Sequence, residues 1–153
     1  MKDKSELSSL YVYIESLHGE QPWGSLLDAG TGINSLEWIL KLPTDRWTAV
    51  TAANSMADQM RSALGDHIRT RDRLIVGNWV NESLLTGETF STVLVDYLVG
   101  AIEGFAPYWQ GHVFERLRPL VSSNGRLYII GLEPYVQFPP KTESGKIVWE
   151  IGR

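Results

Sequence analysis

Leu26-Leu27-Asp28-Ala29-Gly30-Thr31-Gly32 constrains this chain more than any other segment. An apolar run enters an acidic residue and then a Gly-x-Gly turn. Apolar runs of this kind form strands buried on both faces of a parallel sheet. Glycines at the end of such a strand let a ligand come close to the backbone, because they carry no Cβ. A helix that follows the turn directs its first N–H groups and positive dipole end at the same spot. The segment predicts an open α/β sheet with a nucleotide-type site at the strand's carboxyl end.

The rest of the chain alternates in the same way. Leu7, Leu10, Tyr11, Ile14 and Leu17 fall at helical spacing, and His18-Gly19 with Pro22 ends that helix. Ser25 to Ala29 reads as the first strand. Asn34-Ser35-Leu36-Glu37 resembles a capping box for a helix with Leu36, Ile39 and Leu40 inward, stopped by Pro43. Trp47 to Ala52 is the second strand, and Ser55 caps a helix to about Leu64 with Met56, Met60, Ala63 and Leu64 inward. Arg73 to Val76 and Thr92 to Asp96 are the third and fourth strands, separated by a loop or a short helix. Pro107 to Leu117 is helical with Val113, Phe114 and Leu117 inward, and Asn124-Gly125 turns into a fifth strand, Arg126 to Gly131. Strands alternating with helices predict one domain over residues 1–153, a mostly parallel sheet with helices on both faces. Right-handed crossovers then bring every strand's carboxyl end to one edge of the sheet.

Composition narrows the function. The net charge of −4 offers no basic stripe for phosphates, so nucleic acid is not an expected partner. With no cysteine, disulfides, thiolate zinc sites and a cysteine nucleophile are excluded, and a cytoplasmic location is expected. His18, His67 and His112 have no metal-ligand spacing, so no metal is expected. No apolar stretch reaches a transmembrane length, so no membrane association is expected. Six tryptophans are many for 153 residues and read mainly as packing.

Asp28 sharpens the reading of the glycine turn. A carboxylate two residues before Gly30 repels a pyrophosphate but pairs with an ammonium group, and Ser35 occupies the third glycine of the dinucleotide pattern. A nicotinamide dehydrogenase is therefore disfavoured, and a ligand with an amino acid end is favoured. With this, Leu26 to Gly32 resembles the first motif of class I S-adenosylmethionine-dependent methyltransferases. Trp47 to Met56 resembles that family's second strand and its end, and Val76-Gly77-Asn78-Trp79 its segment beside the adenine. Phe90 to Asp96 is similar to its fourth strand. Leu117-Arg118-Pro119-Leu120 with Asn124-Gly125-Arg126-Leu127 is similar to its approach to strand five. The resemblance covers roughly residues 20 to 135 and implies a Rossmann-like α/β sandwich.

It also implies S-adenosyl-L-methionine as cofactor and methyl transfer to a small molecule. Gly30, Thr31 and Gly32 would admit the cofactor, and Asp28 would act on its amino acid end, directly or through water. Asn54 and Ser55 would lie by the ribose, Asn78 and Trp79 by the adenine, and Asp96 and Tyr97 by the methyl and the acceptor. No acid–base pair is required, and no catalytic residue is named; Glu133 reads as a solvated turn residue. The departures are specific. Ala53 stands where the family carries its ribose-binding acid, Asn34 replaces a third glycine, and Asp96-Tyr97-Leu98-Val99 is not the motif of enzymes that methylate base amino groups. About twenty residues follow Glu133, too few for the family's last helix and antiparallel strands, so the chain reads as truncated. Strand five would then be an exposed edge that invites self-association. A non-catalytic binding or regulatory module is the second reading.

Overall fold

The computed structural model of the protein describes residues 9–132 and 141–151. Five parallel strands form its frame: β1 (Ser25–Asp28), β2 (Arg46–Thr51), β3 (Arg73–Val76), β4 (Phe90–Asp96) and β5 (Val121–Ile130), in the order β3-β2-β1-β4-β5. The helices are α1 (Ser9–His18), α2 (Ile33–Ile39), α3 (Asn54–Leu64), α4 (Leu98–Ala101), α5 (Val113–Leu117) and α6 (Glu143–Ile151). The chain steps outward from β1 to β3, then returns to lay β4 on the other side of β1. Strand order reverses at β1 and β4, and open α/β sheets form their crevice at that reversal.

Alternation along the strands explains the three layers. Leu26, Trp47, Ala49, Leu94 and Ile130 face one side, where they bury residues of α1, α2 and α3. Leu27, Val50, Val93 and Val95 face the other, against α4, α5 and the 3-10 turns around them. The fold is thus the expected Rossmann-like α/β sandwich. The tryptophans carry much of the first layer. Trp38 stacks on Tyr11 with ring centroids 4.8 Å apart, and its Nε1–H donates to Glu15 Oε1 at 3.0 Å. His18 stacks on Trp23 at 3.6 Å and its Nδ1 lies 2.8 Å from the Tyr128 hydroxyl. Burial holds the His18 pKa below the ordinary imidazole value. These contacts fix α1 across the sheet from β1 to β5.

Several boundaries differ from the sequence reading. The hydroxyl of Ser35 caps α2 from inside the helix, so Gly32 rather than Asn34 is the cap residue. Ala53 precedes α3, and Ser55 lies within its first turn instead of capping it. Ala57, not Ala63, is the buried alanine of α3, and Phe114 is exposed. Residues 77–89 form turns, and the short helix comes after β4 as α4. The Asn124-Gly125 turn is absorbed into β5 as a bulge, where pairing jumps from Phe90↔Val121 to Thr92↔Arg126. A Cβ on Gly125 would sit 3.0 Å from the Phe90 carbonyl oxygen, which explains a glycine there. Among the described residues β5 is a sheet edge with Leu127 and Ile129 exposed.

A buried carboxylate paired with a half-buried arginine anchors the amino end of β2. Asp72 accepts from the Trp47 N–H at 3.0 Å and from Arg69 Nε at 2.6 Å, with its carboxylate wholly buried. Asp72→Ala leaves the Trp47 amide without its acceptor while Arg69 keeps its bonds to Thr44, and is expected to cost about 2 kcal/mol in urea unfolding. Asp58→Ala, which breaks the exposed Asp58–Arg61 pair, is expected to cost about 0.5 kcal/mol or less. Equal costs would contradict this account.

Candidate functional site

The carboxyl ends of β1 and β4 open onto a cleft of about 590 Å³. Its floor is the turn after β1. The Ala29 N–H still bonds to the Leu94 carbonyl of β4 at 2.9 Å, whereas the Thr31 N–H bonds to the Val50 carbonyl of β2 at 2.8 Å. The turn therefore crosses the sheet, and Gly30, Thr31 and Gly32 line the cleft. A Cβ on Gly30 would lie 3.0 Å from Leu98 Cβ, so Gly30 is required by the close approach of α4. A Cβ on Gly32 would meet nothing within 4 Å, which leaves that space open to a ligand. The Gly32 N–H donates to Ser35 Oγ at 3.1 Å, so this amide is already engaged.

Asp28 lies beneath the turn, fully buried, and neither carboxylate oxygen has a hydrogen-bond partner among the described residues. Burial raises its pKa to about 6. The Ser35 and Thr31 hydroxyls and the Gly30 N–H lie near enough to offset part of that rise without making well-formed hydrogen bonds, and the Asp96 carboxylate adds to it. Asp96 ends β4 on the cleft wall, and the Tyr11 hydroxyl donates to its Oδ2 at 2.6 Å. Burial holds the Asp96 pKa above the usual carboxylate range, opposed by that hydrogen bond. Burial, and then the Asp96 carboxylate, hold the Tyr11 phenol well above its ordinary value.

A smaller cavity of about 180 Å³ adjoins the cleft and shares Gly30, Thr31 and Met56 with it. Trp79 forms one of its walls and is itself buried, its Nε1–H donating to the Ala29 carbonyl at 2.6 Å and the Arg116 guanidinium lying over its ring. Asn78 lines the same cavity; its amide N–H donates to the Phe105 carbonyl at 2.9 Å and its Oδ1 accepts from the Val80 N–H at 3.1 Å.

The structure brings eight of the ten expected site residues to this edge. Gly30, Thr31, Gly32, Asp96 and Tyr97 line the cleft, Asn78 and Trp79 the smaller cavity, and Asp28 lies under the turn. Asn54 and Ser55 are exposed on the first turn of α3 and line neither space. Glu133 lies outside the described residues. Tyr11, Met56 and Gln59 line the cleft without having been singled out. The helical spacing marked Tyr11 as inward, but nothing local pointed its hydroxyl at a residue 85 positions away. Among the described residues no group of three or more His, Asp or Glu side chains could hold a metal ion, and no helix is long and apolar enough to cross a membrane.

No protein-family model and no curated protein sequence matches the chain. Solved structures do match. The glycopeptide N-methyltransferase MtfA complexed with sinefungin superposes with a TM-score of 0.65 at 18% identity, over 90% of this chain and 56% of that one. The plantazolicin methyltransferase BpumL in complex with SAH gives 0.61 at 18%, over 92% and 52%. Coclaurine N-methyltransferase bound to N-methylheliamine and SAH gives 0.60 at 19%, over 84% and 38%. The chain thus has the fold found in these methyltransferases and spans between 38% and 56% of their lengths.

The raised Asp28 pKa fixes the sign of a pH effect. The native state holds this proton more tightly than the unfolded chain. The associated stability is present below about pH 4 and is lost as pH rises through about 6, by about 3 kcal/mol in all. Asp28→Asn removes the buried charge and is expected to raise the melting temperature at pH 7.5, with the gain shrinking toward pH 4.5. A gain equal at both pH values, or a loss at pH 7.5, would contradict the assignment.

Proposed function

We propose that the chain binds S-adenosyl-L-methionine in the cleft at β1 and β4 and takes part in methyl transfer to a small-molecule acceptor. The observation that carries this is the fully buried Asp28 carboxylate, with no counter-charge among the described residues, beneath a glycine turn whose outer face is open. An uncompensated buried acid is costly unless a cation comes near it. The cofactor brings an ammonium and a sulfonium, both positive, and the cleft has the volume of an ordinary ligand site, in the range of about 300–1,000 Å³. Asp28 does not line the cleft, so it acts through the turn as a buried charge rather than as a contact residue. The likeness in fold to methyltransferases solved with SAH and sinefungin supports the same reading.

In this reading Gly30, Thr31 and Gly32 hold the amino acid end against the backbone. Asn78 and Trp79 wall the space for the base. The Trp79 ring is fixed by its bond to Ala29, so it would act as a rigid wall. Asp96 and Tyr97 border the acceptor. The cofactor supplies a methyl group that already carries a good leaving group, so the protein's work is alignment and exclusion of water. A single domain over residues 1–153, self-association through the β5 edge and a cytoplasmic location belong to this proposal.

A binding module without turnover is the second reading. It is favoured by one observation: Ala53, Asn54 and Ser55 offer no side-chain hydrogen-bonding group to either space at the end of β2. Calorimetric titration with S-adenosylhomocysteine tests binding, and methyl transfer from labelled cofactor separates the two readings. Wild-type protein is expected to bind in the micromolar range. Gly32→Val, which fills open space rather than core, is expected to weaken binding at least tenfold with little change in melting temperature. A folded wild-type protein that does not bind, or a Gly32→Val protein that binds equally well, would refute the proposal.

A further inference from the structure

A second cavity of about 590 Å³ shares no residue with the cofactor cleft and lies between the 79–89 turns and α5. Its volume is that of an ordinary ligand site. Buried Trp79 is the one wall it has in common with the cavity assigned to the base.

Arg116 brings a fixed cation to this space. Its guanidinium lies over the Trp79 ring, 5.5 Å from the centroid, and Nη2 donates to the main-chain carbonyls of Asn81, Glu82 and Leu84. Nη1 makes no hydrogen bond among the described residues and, unlike the buried Nε, is accessible. No carboxylate of the described residues lies within ion-pair distance of the guanidinium.

Three glutamates share the cavity, in two different states. Glu88 is held by Arg73 and, at 3.6 Å, by Arg46. Glu82 and Glu115 are exposed; the Glu82 carboxylate pairs with no cation among the described residues, and Glu115 lies 3.7 Å from His112 Nδ1. Both acids are carried next to the guanidinium. Glu115 precedes Arg116 in the chain, and Glu82 gives Nη2 its main-chain carbonyl at 3.2 Å. An anion alone would gain Arg116 but face two acids. An ammonium alone would gain the acids but face Arg116. A molecule carrying both charges meets an opposite at each end. Partly exposed Trp109, with Leu120, supplies an aromatic and apolar wall beside them.

We infer that this cavity binds an aromatic amino acid as its zwitterion. The carboxylate accepts from Arg116 Nη1, the ammonium lies toward Glu82 and Glu115, and the ring packs on Trp109. This site is independent of the methyl-transfer reading.

Three probes separate its parts: L-phenylalanine, 3-phenylpropionate, which lacks the ammonium, and 2-phenylethylamine, which lacks the carboxylate. Binding of each to the full chain is followed by tryptophan fluorescence at pH 7.5. Phenylalanine is expected to bind at least fivefold more tightly than either partial probe, equally with and without saturating S-adenosylhomocysteine. Glu82→Gln changes an exposed side chain. It is expected to leave the melting temperature unchanged and to weaken phenylalanine at least threefold without weakening phenylpropionate. Arg116→Gln is expected to erase the advantage of phenylalanine over phenylethylamine. Arg116 also holds the 81–84 turn, so Glu82→Gln decides the matter where Arg116→Gln does not fold, and it locates the site whether or not S-adenosylhomocysteine binds. Equal binding of the three probes, or no binding of phenylalanine, overturns the inference. So does a Glu82→Gln protein that binds phenylalanine as tightly as the wild type. Displacement of phenylalanine by S-adenosylhomocysteine would place it in the cofactor cleft and overturn the inference as well.

Discussion

A carboxylate buried without a counter-charge is among the costlier things a small domain can hold, and among the described residues Asp28 is one, at the centre of the sheet. Asp28 ends the strand with neighbours on both sides, beneath a turn that crosses from β4 to β2. Its position follows from the strand that carries it. Leu26 and Leu27 are drawn into opposite core layers, and strict alternation then leaves the next residue no route to solvent. Asp96, at the matching end of β4, brings a second negative charge near it. Among the described residues Asp96 and Glu37 line the cleft, Asp28 lies beneath it and no Lys or Arg lines it, so a cationic ligand would relieve this negative charge.

Holding that arrangement requires α1. The helix is pinned at three points, by the Tyr11–Trp38 stack, the Glu15–Trp38 hydrogen bond and the His18 contacts with Trp23 and Tyr128. The longest of these contacts joins His18 to Tyr128 of β5. Together they set the Tyr11 hydroxyl on Asp96 Oδ2 at the cleft wall. The aromatic content that looked like simple packing thus also positions a polar group of the site. On the opposite layer, Trp79 does the same for the smaller cavity through its bond to Ala29.

Strand identity and succession along the chain were legible because each strand is a short apolar run, whereas the order of the strands within the sheet was not. The turn after β1 was legible because few sequences put an acid and two glycines there. Helix starts were less so. Ser35 and Ser55 both look like caps, but a hydroxyl can cap from inside the first turn as readily as from before it, and only the packed geometry decides. The 77–89 segment was ambiguous because its apolar residues have no period, and it settles into turns around Trp79. Tyr11 was the largest omission: burial was visible in its helical spacing, whereas its partner was set by the sheet order. The bulge in β5 was read as a turn because Asn-Gly carries the same local signal in either setting.

A cationic ligand end that relieves the Asp28 carboxylate lowers its pKa and so displaces its proton. Calorimetric titration with S-adenosylhomocysteine at pH 6 in two buffers of different ionisation enthalpy counts the protons exchanged on binding. With an Asp28 pKa of about 6 in the free protein, binding should release up to about half a proton. That release should fall toward zero at pH 8 and diminish in Asp28→Asn. Binding with no proton release at pH 6, or with proton uptake, would contradict the claim.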